Sequence, residues 1–363
     1  MSEINTLKTV LVENKHDKFN YGLAILRIWM CFEVVLDHFK NWNGATAESL
    51  SWPFRMLLRY GEIAVPVFML SSFVLTDMAK LSSDGERIKK RFYRLLVPHF
   101  FWAFAYFAIY KLLDVTTGLN LEIGIKDLLW QLTFGHSINQ TEWFQIDLIV
   151  ITAVFILGFK LFKKKAIIFT IGMGYLALFL QYSGINGALF DNMQYPFNTG
   201  YITYPVGRIM EMVPYTVLGI LICKYSLLKR IEKHKCVVIP FSVLILYFMF
   251  NFSVFTGVGR SYGYSGMYYI VMGTVSVALF YALPLRAIPK ICKKVIYFVA
   301  RYNMSVYFMH RLVAAIIYNT QFNSLFGMRQ GSIHDCIIIY CCCLFCAWLI
   351  SLIPVKIIKD AVI

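Results

Sequence analysis

The chain has 363 residues, and its composition excludes a soluble globular protein: 59% of the residues are hydrophobic, only 15% are charged, and the mean hydropathy is +0.62. A net charge of +15 would point to a nucleic-acid partner in a soluble protein. Here the cations lie in loops between apolar stretches, so the composition predicts a multi-pass membrane protein with no nucleic-acid partner.

About ten apolar stretches approach the length that a helix needs to cross a hydrocarbon core of about 30 Å. Because the polar gaps are short and no repeat is visible, we predict an all-α membrane helix bundle forming a single domain over residues 1–363. Within it, 20–357 is the bundle, and 1–19 and 358–363 are terminal segments. The predicted spans are 20–40, 61–79, 95–113, 143–162, 166–182, 208–224, 236–255, 267–284, 295–318 and 336–357.

Lysine and arginine crowd into alternate loops along the whole chain, with clusters at 80–94, 160–165, 224–235 and 286–294. Cytoplasmic loops carry such an excess, so the alternation predicts that both termini are cytoplasmic. The first 19 residues mix charges of both signs and hold no apolar run, so no cleaved signal peptide is expected.

The first predicted span contains an arginine and a histidine, Arg27 and His38. Their spacing of eleven residues returns the two side chains to within about 20° of one helical face and separates them by about 16 Å along the axis. Ionisable groups inside a membrane are costly and mark a functional site by default. The alternatives are an interfacial histidine for His38 and a snorkelling side chain for Arg27.

Two further groups lie near the second and third spans. Arg91 and Arg94 are neighbours on a helical surface, and a pair of guanidinium groups suits phosphate or pyrophosphate. A basic anchor for lipid headgroups is the alternative. Ser71 and Ser72 lie within the second span, where small hydroxyl residues also serve close helix packing.

The later spans add polar residues on two helices. Glu142 and Asp147 lie at the outer start of the fourth span, where they could orient a histidine or bind a sugar hydroxyl. The ninth span contains Ser305, Tyr307 and His310. The nine cysteines show no metal-ligand spacing, so we expect no metal site.

In this order the motifs resemble those of the acyltransferase family 3 membrane proteins, which modify bacterial surface glycans. The family's arginine and histidine on the first helix match Arg27 and His38, and its Ser-Gly-Phe motif matches Ser71 and Phe73, with Ser72 in place of the glycine. The other matches are Arg91, Arg94 and Pro98 for an Arg-x-x-Arg motif with a following proline, Trp143 with Phe144, and Ser305, Tyr307 and His310.

The resemblance implies transfer of an acetyl or succinyl group from cytoplasmic acetyl-CoA or another acyl-CoA to a hydroxyl of a cell-surface polysaccharide or lipid-linked glycan. It further implies the short stand-alone type, a bacterial inner membrane and contact with membrane lipid. A transporter or flippase for a lipid-linked glycan is the alternative.

The implied roles divide the candidate residues. Arg91 and Arg94, with Ser71 and Ser72, would bind the coenzyme. His38 would act as general base, or as a transient acyl carrier, and Arg27 would support the thioester or its oxyanion. Glu142 or Asp147 would orient His38, while Ser305, Tyr307 and His310 would support the same pocket.

Overall fold

The computed structural model describes residues 19–39, 60, 62–118, 123–135, 137–139, 141–183, 205–256, 266–285, 288–318 and 332–363. Within these ranges the chain forms helices and no strand, which confirms the predicted all-α class. The N-terminal segment and most of the loops at 41–59 and 183–207 lie outside the described residues.

The helices are numbered here in chain order. They are α1 (Tyr21–Phe39), α2 (Ala64–Val74), α3 (Met78–Ser82), α4 (Gly85–Thr117), α5 (Ile125–Phe134), α6 (Trp143–Phe162), α7 (Ala166–Tyr182), α8 (Pro205–Lys224), α9 (Leu227–Lys233), α10 (Lys235–Thr256), α11 (Met267–Ala282), α12 (Lys290–Tyr318), α13 (Ile333–Ser351) and α14 (Lys356–Val362).

Four stretches of the described chain are long and apolar enough to cross a membrane, namely Gly85–Thr116, Trp143–Tyr182, Val206–Lys224 and Ile333–Ser351. A fifth is added if α9 and α10, which are bent by 102°, form one broken span. These helices fit a membrane protein. Ten crossings and cytoplasmic termini stay predictions.

The 40-residue stretch Trp143–Tyr182 folds back on itself. The rings of Phe155 and Phe169 are 5.8 Å apart, although a straight helix would separate them by about 21 Å. A 3-10 turn of three exposed lysines, Lys163–Lys165, joins α6 to α7 at the bend. The two helices therefore form an antiparallel hairpin with the boundaries 143–162 and 166–182 that the sequence predicts.

The short helix α2 lies in the centre of the bundle, where it packs against α1, α8 and α11. Its closest neighbour is α8 at Gly219, because a Cβ there would lie 2.7 Å from the Cβ of Phe73 and 2.9 Å from the carbonyl oxygen of Leu70. A glycine at this position lets the two backbones approach, as small residues do between membrane helices.

Replacing Gly219 with alanine is expected to destabilise the protein by about 1–3 kcal/mol, because the added methyl group overpacks the contact with α2. Gly172 of α7 is the matched control, since nothing lies within 4 Å of a Cβ built there. Gly172→Ala should stabilise by up to about 1 kcal/mol through helix propensity. Thermal unfolding in detergent measures the change in stability of both variants. Equal shifts of their unfolding temperatures would contradict the close contact between α2 and α8.

Helix α4 begins after the N-cap residue Asp84 and contains Pro98 in its middle. The Asp84 side chain accepts hydrogen bonds from the backbone N–H groups of Glu86 and Arg87, and the bond from Arg87 lowers the pKa of the Asp84 carboxyl. Pro98 interrupts the backbone ladder, and the Gln145 side chain donates a hydrogen bond of 2.8 Å to the carbonyl of Leu95 one turn earlier.

Helix α14 includes most of the predicted terminal segment 358–363 and docks against α4, α12 and α13. Ala361 and Val362 are buried. The Trp102 ring nitrogen donates to the Ala361 carbonyl at 3.3 Å, and the Ser305 hydroxyl donates to the Val362 carbonyl at 2.6 Å. These bonds join α14 to α4 and α12.

Candidate active site

A cavity of about 740 Å³ opens between α1, α2, α3, α4, α6 and α12. It brings together five of the residues singled out in the sequence, Arg27, Ser71, Ser72, Arg91 and Arg94. They come from three different helices. The geometry therefore brings these five residues together, while their roles and the ligand assigned to them stay predictions.

The lining of the cavity combines several basic residues with apolar ones. Among its described residues six are cationic and one, Asp77, is acidic. The cations are Arg27, Lys80, Arg87, Lys90, Arg91 and Arg94, and the apolar lining includes Phe68, Phe144, Leu148 and Met304. Such a surface suits a ligand that joins several phosphate charges to an uncharged arm.

Arg91 is held in place by Ser72 of α2. Its Nη2 donates a hydrogen bond of 2.6 Å to the Ser72 hydroxyl. Its Nε is buried and has no hydrogen-bond acceptor among the described residues. Native proteins satisfy nearly all buried donors, so a buried guanidinium with an unused N–H indicates a position for a bound anion.

Arg27 is fixed from its backbone side by α12. The Asn303 side chain donates to the Arg27 carbonyl at 3.0 Å, and the Asn303 carbonyl accepts from the Cys31 thiol at 3.2 Å. Tyr340 of α13 donates to the Asn303 side-chain oxygen at 3.3 Å. Sequence reasoning missed Asn303, although an amide two residues before Ser305 inside an apolar helix is a recognisable signal.

His38 does not line this cavity but stacks on His310 of α12. The two ring centroids are 5.2 Å apart and the planes are inclined by 25°. Arg311 Nη2 lies 2.9 Å from His38 Nδ1, and His310 Nδ1 lies 2.7 Å from the Tyr307 carbonyl oxygen. A cluster of two histidines and an arginine thus joins the end of α1 to α12.

Tyr307 connects the cavity to this histidine cluster. Its ring centroid lies 6.0 Å from those of Phe68 and Phe144, which line the cavity, and 6.4 Å from that of His310. Its hydroxyl donates a hydrogen bond of 2.6 Å to the Thr141 carbonyl. Tyr307 therefore lies between the two groups of predicted residues. Ser305, in contrast, donates its hydrogen bond to α14 and is not among the residues that line the cavity.

The carboxylates that were predicted to orient His38 bond to other partners. Asp147 is fully buried and receives two hydrogen bonds of 2.9 Å from Arg208, whose guanidinium also lies over the Trp143 ring. Arg208 escaped prediction because it falls at the boundary of the span 208–224, where an arginine is typical of an interface. The geometry indicates a structural ion pair.

Glu142 likewise belongs to a buried polar network. It accepts a hydrogen bond of 2.8 Å from Gln131 and one of 3.3 Å from Asn139, and His99 Nδ1 lies 3.5 Å from it. His38 lies within hydrogen-bond distance of Arg311, and its orientation by Glu142 or Asp147 stays a prediction. No cluster of histidine, cysteine and acidic side chains suited to a metal ion occurs in the described part of the chain.

Comparison with known proteins covers almost the whole chain. Residues 20–352 match the family model of the acyltransferase domain of family 3. Searches of curated proteins and of solved structures found no match. The matched range includes every residue of the cavity and of the histidine cluster named above. The chain belongs to acyltransferase family 3.

Proposed function

We propose that the chain transfers an acetyl or succinyl group from cytoplasmic acyl-CoA to a hydroxyl of a cell-surface polysaccharide or lipid-linked glycan, in the inner membrane of a bacterium. Family membership makes the protein a membrane acyltransferase. The observation that supports the donor is the cavity with its cluster of cations. The acceptor rests on the resemblance of the motifs.

The residues that line the cavity support acyl-CoA as the donor. Coenzyme A carries a diphosphate and a further phosphate, and guanidinium groups bind such oxygens with strong charge-assisted hydrogen bonds. Arg91 and Arg94 are assigned to the phosphates, with Ser72 orienting Arg91. Phe68, Phe144 and Met304 supply an apolar surface for the uncharged arm, and Arg27 supports the thioester.

The histidine cluster supplies the acid–base chemistry of the transfer. An acceptor hydroxyl must lose its proton as it attacks the thioester carbonyl, and a positioned histidine contributes typically about 10²–10⁴-fold to such a step. Motif resemblance assigns this proton transfer to His38, whose ring stacks on His310. We therefore assign the step to His38, as general base or as a transient acyl carrier, with His310 in a supporting role.

The test is acyl transfer by purified protein in lipid nanodiscs, with radiolabelled acetyl-CoA and surface glycan extracted from a strain that lacks the gene. We expect labelled acyl groups in the glycan when the glycan is present. When the glycan is omitted, we expect slow release of free coenzyme A. Empty nanodiscs are the control. Release no faster than in the control, with no label transferred, would contradict the acyltransferase proposal and favour the transporter or flippase.

Mass spectrometry of the surface polysaccharide from the deletion strain identifies the acyl group. Loss of an increment of about 42 Da indicates acetyl, and loss of about 100 Da indicates succinyl. An unchanged mass distribution would contradict a surface-glycan acceptor.

A further inference from the structure

We propose that the cavity contains two phosphate subsites, and that the outer one distinguishes coenzyme A from its 3′-dephospho form. Lys80, Arg87 and Lys90 form the outer subsite, which binds the 3′-phosphate of the coenzyme. Arg91 and Arg94 form the inner subsite, which binds the diphosphate. This assignment rests on the proposed use of acyl-CoA and adds to it a group by which the donor is recognised.

The cations of the cavity follow one face of α4 from its first turn onwards. Four of them, each three or four residues from another on the next turn, cover about 10 Å of the helix axis, namely Arg87, Lys90, Arg91 and Arg94. The Arg87 side chain is 58% exposed, whereas Arg91 Nε, one turn further along, is buried. Lys80 of the neighbouring helix α3 is 70% exposed. The outer subsite therefore lies where the cavity opens to solvent.

The outer cations are oriented by the carboxylates that cap α3 and α4. Lys80 Nζ lies 3.2 Å from Asp77, and Arg87 Nε donates to Asp84 at 2.9 Å. Such exposed ion pairs are weak, so they orient the side chains without preventing a further anion from binding. Within the described ranges, the terminal Nη groups of Arg87 and the ammonium group of Lys90 have no hydrogen-bond partner. These donors are available to a phosphate.

The inner cations repel one another and have no neighbouring carboxylate in the described lining. Arg94 and Arg27 are close enough to Arg91 to interact with it electrostatically, and Arg91 Nε has no acceptor among the described residues. Asp77, the one acidic residue in the described lining, pairs with Lys80 instead. An anion bound at Arg91 and Arg94 would offset this repulsion and accept the buried N–H.

Coenzyme A carries its phosphates in an arrangement that fits two neighbouring subsites. Its diphosphate and its 3′-phosphate are attached to the same ribose, so a single sugar ring separates them. Arg87 and Arg91 are four residues apart, which is about 6 Å along the helix axis and comparable to the separation that one ribose gives. A lipid headgroup with a single phosphate would occupy only one of the subsites. The extent of the basic face therefore favours the coenzyme.

The test compares acetyl-CoA with acetyl 3′-dephospho-CoA by calorimetric titration of the full-length protein in nanodiscs of zwitterionic lipid. We expect wild type to bind acetyl-CoA about tenfold more tightly than the dephospho form, because three cations contact the additional phosphate. The triple variant Lys80→Gln, Arg87→Gln and Lys90→Gln should reduce this ratio to within about twofold, since the interaction is lost from both sides of the cycle. Equal affinities of wild type for the two coenzymes would overturn the proposal.

Two other variants show whether the effect belongs to the outer subsite. Lys89→Gln removes an exposed cation of the same helix that does not line the cavity, and it should keep the wild-type ratio. Arg91→Ala with Arg94→Ala should weaken the binding of both coenzymes, because the diphosphate is common to them. A triple variant that weakens both coenzymes by the same factor, or a Lys89→Gln variant that loses the ratio, would overturn the assignment.

The affinity for the dephospho form also checks that the triple variant is folded. If that variant binds neither coenzyme, Lys90→Gln takes its place, because it removes no hydrogen bond or ion pair of the described chain. This single change should lower the ratio by about two- to fivefold, and an unchanged ratio would overturn the role of Lys90. Wild-type protein that binds neither coenzyme would instead contradict the proposed donor itself.

Discussion

Replacing Arg91 and Arg94 together with alanine is expected to weaken the binding of acetyl-CoA by about 10² to 10⁴-fold. Both side chains line the cavity, and each charge-assisted hydrogen bond contributes about 1.5–3 kcal/mol. Truncation also removes the bond from Arg91 to Ser72. Calorimetric titration of the protein in nanodiscs, at one fixed salt concentration, measures the change in Kd.

Lys89 provides a matched control for this pair, since it is an exposed cation of the same helix that does not line the cavity. Lys89→Ala should leave the Kd for acetyl-CoA within about twofold of wild type, as expected for a screened surface charge. An unchanged affinity of the double arginine variant for acetyl-CoA would contradict the proposed phosphate contacts. It would favour the alternative, in which Arg91 and Arg94 bind lipid headgroups.

Arg208→Ala is expected to destabilise the protein by about 3–5 kcal/mol, because it leaves the fully buried Asp147 carboxylate without its partner. Removing one member of a buried ion pair costs more than removing both, since the remaining charge stays desolvated. Thermal unfolding in detergent, followed by intrinsic fluorescence, measures the loss.

The double variant Asp147→Leu with Arg208→Met serves as the control, because an apolar pair of similar volume often restores stability. Recovery of most of the lost stability, together with retained acyl transfer, would show that Asp147 has a structural role. A stable Arg208→Ala variant would contradict the importance of the ion pair. A stable but inactive double variant would support the predicted role of Asp147 in the reaction.

The extent to which helices could be predicted depends on what ends them. The spans 143–162 and 166–182 coincide with α6 and α7 because a run of three lysines separates two apolar stretches. The span 61–79 is longer than α2, which ends at Val74 before Asp77 caps the separate helix α3. Hydropathy does not detect such a break, since the residues on both sides of it are apolar.

The candidate site was predictable where its residues are neighbours on one helix. The spacing of Arg91 and Arg94 follows from helical periodicity. Arg27 and His38 contact different groups of residues, so their predicted common site stays a prediction. The contact of His38 with Arg311 joins residues 273 positions apart, and periodicity gives a face without naming the helix that covers it. The contact between His38 and Arg311 therefore became visible only in three dimensions.

The same reasoning explains why two carboxylates were assigned to His38. Glu142 and Asp147 lie at the predicted outer end of a span, at the depth where His38 was expected. The predicted depth in the membrane does not show whether the partner of Asp147 is a histidine or an arginine, and in the structure it is Arg208. The choice depends on the packing of α8 beside α6, which the one-dimensional pattern does not contain.

The docking of α14 decides where a topology reporter can be attached. Trp102 and Ser305 bind the carbonyls of Ala361 and Val362, so a bulky fusion joined after them would strain contacts that reach α4 and α12. An epitope inserted in the exposed turn Lys163–Lys165 avoids those contacts. Protease accessibility of that epitope in intact and inverted vesicles would establish the sidedness of the bundle while leaving the donor cavity undisturbed.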